Sequence, residues 1–438
     1  MKHNSFRKPR RSAVKGVFKK PDRWYYTVRK TNPIALRERE GIDVIDPHDE
    51  PDCYESLVVP SCGHGKCLLF KKINPDGTFE RWFGCALHRT AACPHRFEWP
   101  EDDVISAPAN VKKRHLPFRS FLPEKVAKLK DGKKDVPFWF CIKCVDVYPE
   151  ATHYHNLEGP FQQVEELFKL VPAMEHEESQ AQFWFSDETI EVLYRSLKNA
   201  GIDSFICVGT PQFFQFLLEK KEKAYLLDVD ERFRAFFSND QYAMYNMVNN
   251  EFHSSKEGFE KFLKKAKSAS IVCDPPFATF IKALINSLKE LVNEHSKKVR
   301  FTFTLPFFLD RHLQRELPEA KMVDYSVLYR NHPKFRTLKK SPVRFFTTID
   351  RKHFVLKGPH YIHCKACDRY VRESNTHCPM CKDCPSRDGN PVKHCSMCSR
   401  CVPAKYRHCR KCNKCSLNNR CHNRNLRVSN KTNYMEAY

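Results

Sequence analysis

Short apolar runs alternate with amphipathic segments across the middle of the chain. Four runs are typical of buried strands: SFICVGT (204–210), KAYLLDVD (223–230), SIVCD (270–274) and RFTFTLP (300–306). Three segments have helical spacing: SDETIEVLYRSLKNAG (186–201), PQFFQFLLEK (211–220) and FATFIKALINSLKELVNEH (277–295). We expect Ser186 to cap the first of these helices and Gly201 to end it.

Two more segments, MVDYSVLY (322–329) and VRFFTTI (343–349), predict a closing pair of strands. The alternation of strands and helices predicts an α/β fold built on a doubly wound sheet. Sheets of this kind bind ligands outside the carboxyl ends of their strands. The residues at those ends are therefore the first candidates for function.

Charge and cysteine content narrow the function classes. The 438 residues carry a formal net charge of +23, which indicates a polyanionic partner, most often nucleic acid. The alternative is a basic protein that its charge keeps soluble. No apolar run approaches the ~18 residues of a membrane span and no signal segment is visible, so we expect an intracellular protein without membrane contact. In a reducing compartment, 21 cysteines indicate metal sites rather than disulfides.

Cysteines and histidines are dense on both sides of a stretch where they are rare, and this predicts two metal-rich flanks around a globular core. The predicted segments are a basic and acidic, disordered tail (1–52), a first zinc finger (53–105), a linker with a second finger (106–160), the core (161–355), a zinc array (360–424) and a tail (425–438). RKPRR at 7–11 indicates a nuclear-import or nucleic-acid patch, or only a part of the disordered tail.

Two predicted strand ends carry residues that suit a nucleotide-like ligand. Gly209 follows the first strand, where the missing Cβ lets the backbone approach a ligand. Asp228 and Asp230 end the next strand, where a carboxylate suits bidentate hydrogen bonding to ribose hydroxyls. A solvated pair of surface acids is the alternative, and it carries more weight for Asp230 than for Asp228.

The strand SIVCD ends in the string DPPF, formed by Asp274, Pro275, Pro276 and Phe277. Because proline cannot donate to a sheet ladder, the strand stops here. One alternative is a Pro-Pro turn that only punctuates the fold. With the two other strand ends, DPPF resembles the signature of S-adenosylmethionine-dependent methyltransferases that act on exocyclic amino groups.

That resemblance implies a Rossmann-like class I methyltransferase core with named roles. The Asp274 carboxylate and the Pro275 carbonyl would accept the two N–H bonds of an adenine N6 amine, and Phe277 would stack on the base. The two prolines would hold these groups still. The implied cofactor site comprises Gly209, Thr210, Pro211, Asp228 and Asp230.

A repeated cysteine pattern near the C-terminus indicates structural zinc. The array resembles the cysteine-rich domain of protein palmitoyltransferases. We do not expect palmitoyl transfer, because the Asp-His-His-Cys run and the membrane helices of that family are absent from the sequence. The resemblance implies interlocked sites of three Cys and one His: Cys364, Cys367, His377 and Cys384; Cys378, Cys381, His394 and Cys401; Cys395, Cys398, His408 and Cys415; and Cys409, Cys412, Cys421 and His422.

The strings CGHG (62–65) and WFGCALHRTAACPHRFEW (82–99) combine cysteine, histidine and aromatic residues in the predicted first finger. They resemble the GRF-type zinc finger, a small binder of single-stranded nucleic acid that carries exposed aromatic residues. The implied ligands are Cys62, His64, Cys85 and Cys93, with Phe97 and Trp99 after them. His88 and His95 compete as ligands, and Cys53 and Cys67 have no predicted role. Cys141, Cys144, His153 and His155 indicate a second site, with inert thiols as the alternative.

The order of these parts resembles the CCHC-zinc-finger ribosomal RNA N6-adenosine methyltransferases of animals over roughly residues 55 to 422. The resemblance implies S-adenosylmethionine and several structural zinc ions as cofactors, and an adenosine of large-subunit ribosomal RNA as substrate. It also implies a nuclear or nucleolar location, with the cytoplasm as a further one, and Asn246 or Asn249 near the cofactor. Two alternatives are an inactive zinc-finger RNA scaffold in ribosome assembly and methylation of DNA adenine or protein glutamine.

Overall fold

The computed structural model describes residues 42–50, 57–74, 76–86, 93, 96–99, 120–131, 137–174, 182–277, 279–338, 341–410 and 412–417. The predicted tail 425–438, most of the tail 1–52, and the residues Cys53, His88, His95, Cys421 and His422 lie outside these ranges. None of the helices in the described ranges is both long enough and apolar enough to cross a membrane.

The N-terminal flank is built mainly of short antiparallel strands. Its elements are β1 (Ile42–Ile45), β2 (Ser61–Cys62), β3 (Gly65–Lys66), β4 (Leu68–Ile73), β5 (Phe79–Gly84), β6 (Arg96–Glu98), α1 (Leu122–Asp131), β7 (Phe138–Cys141), β8 (Asp146–Tyr148) and β9 (Glu158–Phe161). They form a sheet of order β1-β4-β5-β6, the hairpin β2-β3 and a sheet of order β8-β7-β9.

The central part alternates strands and helices, as the sequence predicts. Its elements are α2 (Asp187–Asn199), β10 (Ser204–Val208), α3 (Pro211–Glu219), β11 (Lys223–Asp228), β12 (Tyr242–Asn246), β13 (Glu251–Phe252), α4 (Glu257–Lys265), β14 (Ala269–Cys273), α5 (Ile281–Val292), β15 (Val299–Pro306), α6 (Asp310–Glu316), β16 (Lys321–Met322) and β17 (Val343–Thr347). Ser186 caps α2 as predicted, because its hydroxyl accepts a hydrogen bond from the Thr189 N–H.

The C-terminal flank consists of three hairpins: β18 (Tyr361–Cys364) with β19 (Arg369–Arg372), β20 (Val392–Cys395) with β21 (Arg400–Pro403), and β22 (Tyr406–Cys409) with β23 (Lys414–Leu417). Short 3-10 helices connect many elements along the chain: Pro47–Asp49, Val164–Leu170, Glu231–Ala235, Asn293–Lys298, Phe307–Leu309, Arg351–His353 and Ser396–Cys398.

The core sheet has the order β13-β12-β11-β10-β14-β15-β17-β16. The neighbouring strands β12, β11, β10, β14 and β15 pair in parallel, and β17 pairs with β15 in the antiparallel direction. Successive side chains on a strand point to opposite faces, so Phe205 and Cys207 face one apolar core while Ile206 and Val208 face the other. Helices α2 and α3 pack on the first face, and α4, α5 and α6 on the second. The predicted α/β doubly wound fold is confirmed.

One strand prediction is wrong in extent. The segment 322–329 was expected to form a full strand, but β16 ends at Met322. Beyond it the chain still follows β17 through single backbone hydrogen bonds, from Val323 N to Phe345 O and from Val327 N to Val343 O. The ladder is interrupted because buried polar side chains, Asp324 and Ser326, point toward the C-terminal flank and bind partners there.

Candidate active site and metal clusters

The candidate active site lies where the strand order reverses. From β10 the chain proceeds outward to β11 and β12, and then returns to β14 on the other side of β10. The loops after β10 and β14 therefore leave the same edge of the sheet side by side, and such a position is where open α/β sheets bind ligands. The Asp274 N–H donates to the Val208 carbonyl at 3.2 Å, which ties the two predicted motifs together.

The Asp274 carboxylate is held at one oxygen. Its Oδ1 accepts hydrogen bonds from the Tyr329 hydroxyl at 3.0 Å and from the Thr304 hydroxyl. Among the residues that the structure describes, Oδ2 has no such partner, so this oxygen can accept a hydrogen bond from a ligand. Burial raises the pKa of Asp274 to about 7, although its two hydrogen bonds act in the opposite direction.

The rest of the DPPF string forms a firm turn beside a group of aromatic rings. The Thr279 N–H closes the turn onto the Pro276 carbonyl at 2.8 Å, and Pro275 is buried while Pro276 is exposed. Phe277 is partly exposed, with its ring centroid 6.4 Å from that of Phe335. Partly exposed aromatic rings beside a carboxylate suit a flat, polar ligand such as a nucleobase.

A histidine extends this aromatic group. His332 stacks on Phe335 with ring centroids 3.8 Å apart and planes within 4°. Its Nδ1 accepts hydrogen bonds from the Lys334 and Phe335 N–H groups, both at 3.0 Å. Burial and nearby Lys334 and Arg336 lower the pKa of His332 to about 4, so the ring is neutral at physiological pH.

Gly209 has a backbone conformation and close neighbours that favour glycine. Its φ is +65°, a left-handed conformation that favours glycine. A Cβ there would lie 2.8 Å from Met247 Cε and 3.3 Å from the Asp274 carbonyl. Thr210 and Pro211 follow at the start of α3, and the buried Oε1 of Gln212 has no hydrogen-bond partner among the described residues. These residues fit a polar cofactor that comes close to the backbone.

The two acids at the end of β11, Asp228 and Asp230, have different surroundings in the structure. Asp228 is buried, and its Oδ1 accepts a hydrogen bond from the Asp230 N–H at 2.9 Å. Burial and the nearby Asp230 raise the pKa of Asp228 to about 7. Asp230 is fully buried and binds the Arg232 guanidinium at 2.6 Å and the Gln182 amide at 3.0 Å.

The alternative of solvated surface acids is therefore wrong for both residues. Asp228 is a buried carboxylate at the end of its strand, in the place where a ribose ligand is expected. Both Asp230 oxygens already have internal partners, so its geometry supports a structural role rather than the predicted cofactor contact.

The two asparagines after β12 also differ. Asn246 is buried at the carboxyl end of the strand, and its Oδ1 accepts a hydrogen bond from the Val248 N–H at 3.0 Å. Asn249 instead donates from Nδ2 to the carbonyls of His64 and Lys66 in the first finger. Of these two residues, Asn246 keeps the predicted position on the cofactor edge, and Asn249 belongs to an interface.

The structure brings together the predicted ligands of both N-terminal fingers. Ligand atoms of Cys62, His64, Cys85 and Cys93 lie within 4.8 Å of one another, as do those of Cys141, Cys144, His153 and His155. In the second group both histidines contact Cys144 Sγ at 3.3 Å, which places the closely spaced pair on one centre. Thiol and imidazole groups at this separation can hold a metal ion, and zinc prefers such donor sets.

Three C-terminal clusters follow the predicted interlocked pairing. In each cluster one histidine Nδ1 lies close to both sulfurs of the preceding Cys-x-x-Cys pair, for example 3.7 Å from Cys364 and 3.2 Å from Cys367 in the first. The same two distances recur for His408 with Cys395 and Cys398. The repeat in sequence is thus a repeat in geometry.

A left-handed residue follows each Cys-x-x-Cys pair of the array. The positive φ angles are 46° at Asp368, 52° at Lys382, 49° at Ser399 and 51° at Asn413. The last of these follows Cys409 and Cys412, so this pair shares one feature of the three complete clusters. The partners predicted for it, Cys421 and His422, lie outside the described residues.

Several residues of the site were not predicted. Thr304 and Tyr329 hold the carboxylate, and His332 and Phe335 lie next to Tyr329. The sequence offers one weak signal, because Thr304 is a polar residue in the otherwise apolar run FTLP. Tyr329 is the last residue of the segment 322–329, whose strand prediction was wrong, and Phe335 lies shortly after that segment.

Fold and site together define a methyltransferase of the class I, S-adenosylmethionine-dependent type. A family model described as "Probable N6-adenine methyltransferase" matches residues 176–347. The match to a solved S-adenosylmethionine-dependent methyltransferase from Anabaena variabilis covers 42% of this chain and 89% of that protein, with 11% identity and a TM-score of 0.25.

Two relatives define the family more closely. The rRNA N(6)-adenosine-methyltransferase ZCCHC4 of Xenopus tropicalis is 30% identical over 384 residues, which cover 77% of this chain and 76% of that protein. The protein of the same name from Homo sapiens is 28% identical over 408 residues, which cover 83% and 78%. The chain belongs to this family of rRNA N6-adenosine methyltransferases.

Proposed function

We propose that this protein methylates N6 of an adenosine in large-subunit ribosomal RNA, with S-adenosylmethionine as the methyl donor. The observation that carries the proposal is the Asp274 carboxylate, which two hydroxyl groups hold at Oδ1 while no described residue donates to Oδ2, in the same loop as Phe277. The names of the relatives indicate ribosomal RNA as the substrate, and the description of the family model indicates adenine as the methylated base.

The cofactor supplies an electrophilic methyl group when it is bound. The residues of the chain act on the adenine N6 amine, which is a poor nucleophile because its lone pair is delocalised into the ring. Asp274 Oδ2 and the Pro275 carbonyl accept the two N–H bonds, orient the nitrogen and stabilise the positive charge that develops on it. Phe277 stacks on the base after it leaves its helix or loop.

The same carboxylate can receive the proton that N6 loses. A carboxyl group with a pKa of about 7 holds a proton near neutral pH much better than an ordinary aspartate does. Thr304 and Tyr329 keep Oδ1 occupied, so Oδ2 is the atom left for this transfer. The reaction is then a direct methyl transfer in which no covalent enzyme intermediate forms.

The flanks would bind and position the RNA. We propose structural zinc at the five described Cys/His clusters, because thiolate and imidazole donors favour this ion. The net charge of +23 suits binding to phosphates, and the first finger carries a half-exposed Phe79 whose ring centroid lies 4.4 Å from Lys71 Nζ and 5.2 Å from Arg81 Cζ. We propose a nuclear and nucleolar location, with the cytoplasm as a further one, because ribosomal RNA is the proposed substrate.

The test is methyl transfer from labelled S-adenosylmethionine to total cellular RNA, followed by nucleoside analysis. Wild-type protein should place label in N6-methyladenosine of the large ribosomal RNA, and Asp274→Ala should lose this label while it still binds the cofactor. No transfer by zinc-loaded wild type that binds both cofactor and RNA would favour an inactive scaffold. Label in DNA or in protein glutamine would contradict the proposed RNA substrate.

A further inference from the structure

Asn249 connects the core to the first metal cluster. It lies in the connection that we call the 246–251 loop, which runs from the last residue of β12 to the first residue of β13, and it is only 8% exposed. Its Nδ2 donates to the His64 carbonyl at 3.0 Å and to the Lys66 carbonyl at 3.1 Å. His64 is one of the four possible metal ligands, so a side chain of the core is hydrogen-bonded to the ligand-bearing turn itself.

The turn of the finger and the 246–251 loop fit together closely. Gly65, between the two carbonyls, has a φ of +99°. A Cβ at this position would lie 2.5 Å from Glu251 Cγ and 2.9 Å from Asn249 Nδ2. Such a distance leaves no space for a side chain, so a shift of the turn must move the loop.

The same loop borders the proposed cofactor pocket. Met247 Cε is the atom closest to a Cβ built on Gly209, at 2.8 Å, and Met247 Sδ lies 3.9 Å from Cys273 Sγ, directly before Asp274. Val248 packs against the core beneath the sheet and also against the apolar cluster that joins the finger to α5. Packed interiors transmit displacements, so the position of Met247 depends on the finger.

We infer that the first finger holds the 246–251 loop in its cofactor-binding conformation, and that Asn249 is the positioning residue. This inference rests on the proposed cofactor site. The Cys/His cluster fixes the turn at His64, Asn249 joins that turn to the loop, and Met247 forms the wall of the pocket. The finger is then a part of the cofactor site as well as a surface for RNA.

Asn249→Ala tests the inference in the full chain. We expect the dissociation constant of S-adenosylmethionine, measured by calorimetry, to rise about tenfold, because two buried hydrogen bonds that position the loop are lost. At saturating cofactor, kcat should stay within about twofold of wild type, and the zinc content should not change. The matched control is Asn239→Ala, the same change at an exposed residue just before the amino end of β12.

Gly65→Ala disturbs the same contact from the side of the finger. If the finger acts through Asn249, the double variant should bind the cofactor little more weakly than either single variant. Multiplying effects on the dissociation constant would overturn the inference, as would an Asn249→Ala variant that binds like Asn239→Ala. Wild type that fails to bind S-adenosylmethionine would instead overturn the proposed function. If Gly65→Ala loses zinc, the comparison of the two asparagine variants decides.

Discussion

The two cysteine-rich flanks each contact the core through a buried asparagine amide, but the contacts lead to different parts of the molecule. On the N-terminal side, the amide of Asn249 binds the carbonyls of His64 and Lys66 beside the first cluster. On the C-terminal side, Asn375 belongs to the flank itself, where its amide donates to the carbonyls of Cys384 and Ser386 beside another cluster. Asn249 therefore reaches outward from the core, whereas Asn375 lies in the flank and reaches towards the core.

The difference is in what lies behind each amide. Behind Asn249 is the loop with Met247, on the cofactor side. Asn375 also donates to Asp324 Oδ2 at 2.7 Å, and the Arg372 N–H donates to the same oxygen at 2.9 Å. Asp324 opens the segment that leads to Tyr329, whose hydroxyl donates to Asp274 Oδ1. We therefore expect the first flank to affect the proposed cofactor site and the array to affect the proposed catalytic carboxylate.

Loss of a metal ligand should show this division most strongly. Cys85→Ser in the first finger and Cys367→Ser in the array should each remove one zinc ion per chain, because three donors hold it far less tightly than four. Cys85→Ser should weaken S-adenosylmethionine binding about a hundredfold, whereas Cys367→Ser should bind the cofactor nearly as wild type does and transfer almost no methyl. Metal analysis with calorimetry and an RNA assay measures all three quantities. Equal loss of cofactor binding in both variants would contradict the division.

Removal of the second amide should separate the flanks more gently. Asn375→Ala removes the buried hydrogen bonds from Nδ2 to Asp324 and to the carbonyls of Cys384 and Ser386, at a cost of about 2 kcal/mol, which lowers the thermal midpoint by roughly 5 °C. We expect kcat to fall about tenfold at saturating cofactor, with an unchanged dissociation constant for S-adenosylmethionine. Asn249→Ala should show the reverse pattern. A drop in cofactor affinity in Asn375→Ala would show that the two flanks act on one common element.

These contacts mark the limit of what the sequence predicts. The interlocked clusters follow from spacing, since ligands such as Cys364 and His377 are close along the chain and every repeat has the same pattern. Asn249 and His64 are separated by 185 positions, and nothing in either local pattern indicates the other. The same holds for Tyr329 and Asp274, which are 55 positions apart.

The core shows the same contrast. Strands such as Ser204–Val208 are predicted because they are short, apolar and followed by a turn. The DPPF string can be recognised in the sequence because two consecutive prolines are unusual after a buried strand. The strand Tyr242–Asn246 was not predicted, because its apolar residues run into the polar string NMVNN. Asp228 and Asp230 look alike in the sequence, and only the Arg232 and Gln182 partners of Asp230 distinguish them.

A smaller change tests Tyr329 directly, the residue that links the segment after Asp324 to the Asp274 carboxylate. Tyr329→Phe removes one hydroxyl from Asp274 Oδ1 and should lower kcat about fivefold, because the carboxylate is then held by Thr304 alone. That hydrogen bond lowers the pKa of Asp274, so its loss should move the acid limb of the pH–rate profile to higher pH. Thr304→Val is the matched change at the other donor. An acid limb that moves to lower pH in either variant would exclude a hydroxyl donor to the ionised carboxylate.

The smallest effect uses pH to distinguish the two sides of the site. Asp274 and Asp228 both have a pKa raised to about 7, in each case mainly by burial. The ionised form of each is the one that accepts hydrogen bonds from a ligand, so activity should rise with pH between about 6 and 8. We expect the dependence of kcat at saturating cofactor to belong to Asp274, and that of the cofactor dissociation constant to belong to Asp228.

Stability should change with pH in the opposite direction. A carboxyl whose pKa is raised on folding binds its proton more tightly in the folded state, so its contribution to stability is present below pH 4 and is lost as pH rises through about 7. Asp274→Asn should therefore raise the thermal midpoint at pH 8 by a few degrees relative to wild type, and less at pH 5. Asp228→Asn should do the same while it removes the pH dependence of cofactor binding but leaves that of kcat. If a single variant removed the pH dependence of both kcat and cofactor binding, the two carboxyls would titrate as one coupled group. That result would contradict separate roles for Asp228 in cofactor binding and for Asp274 in methyl transfer.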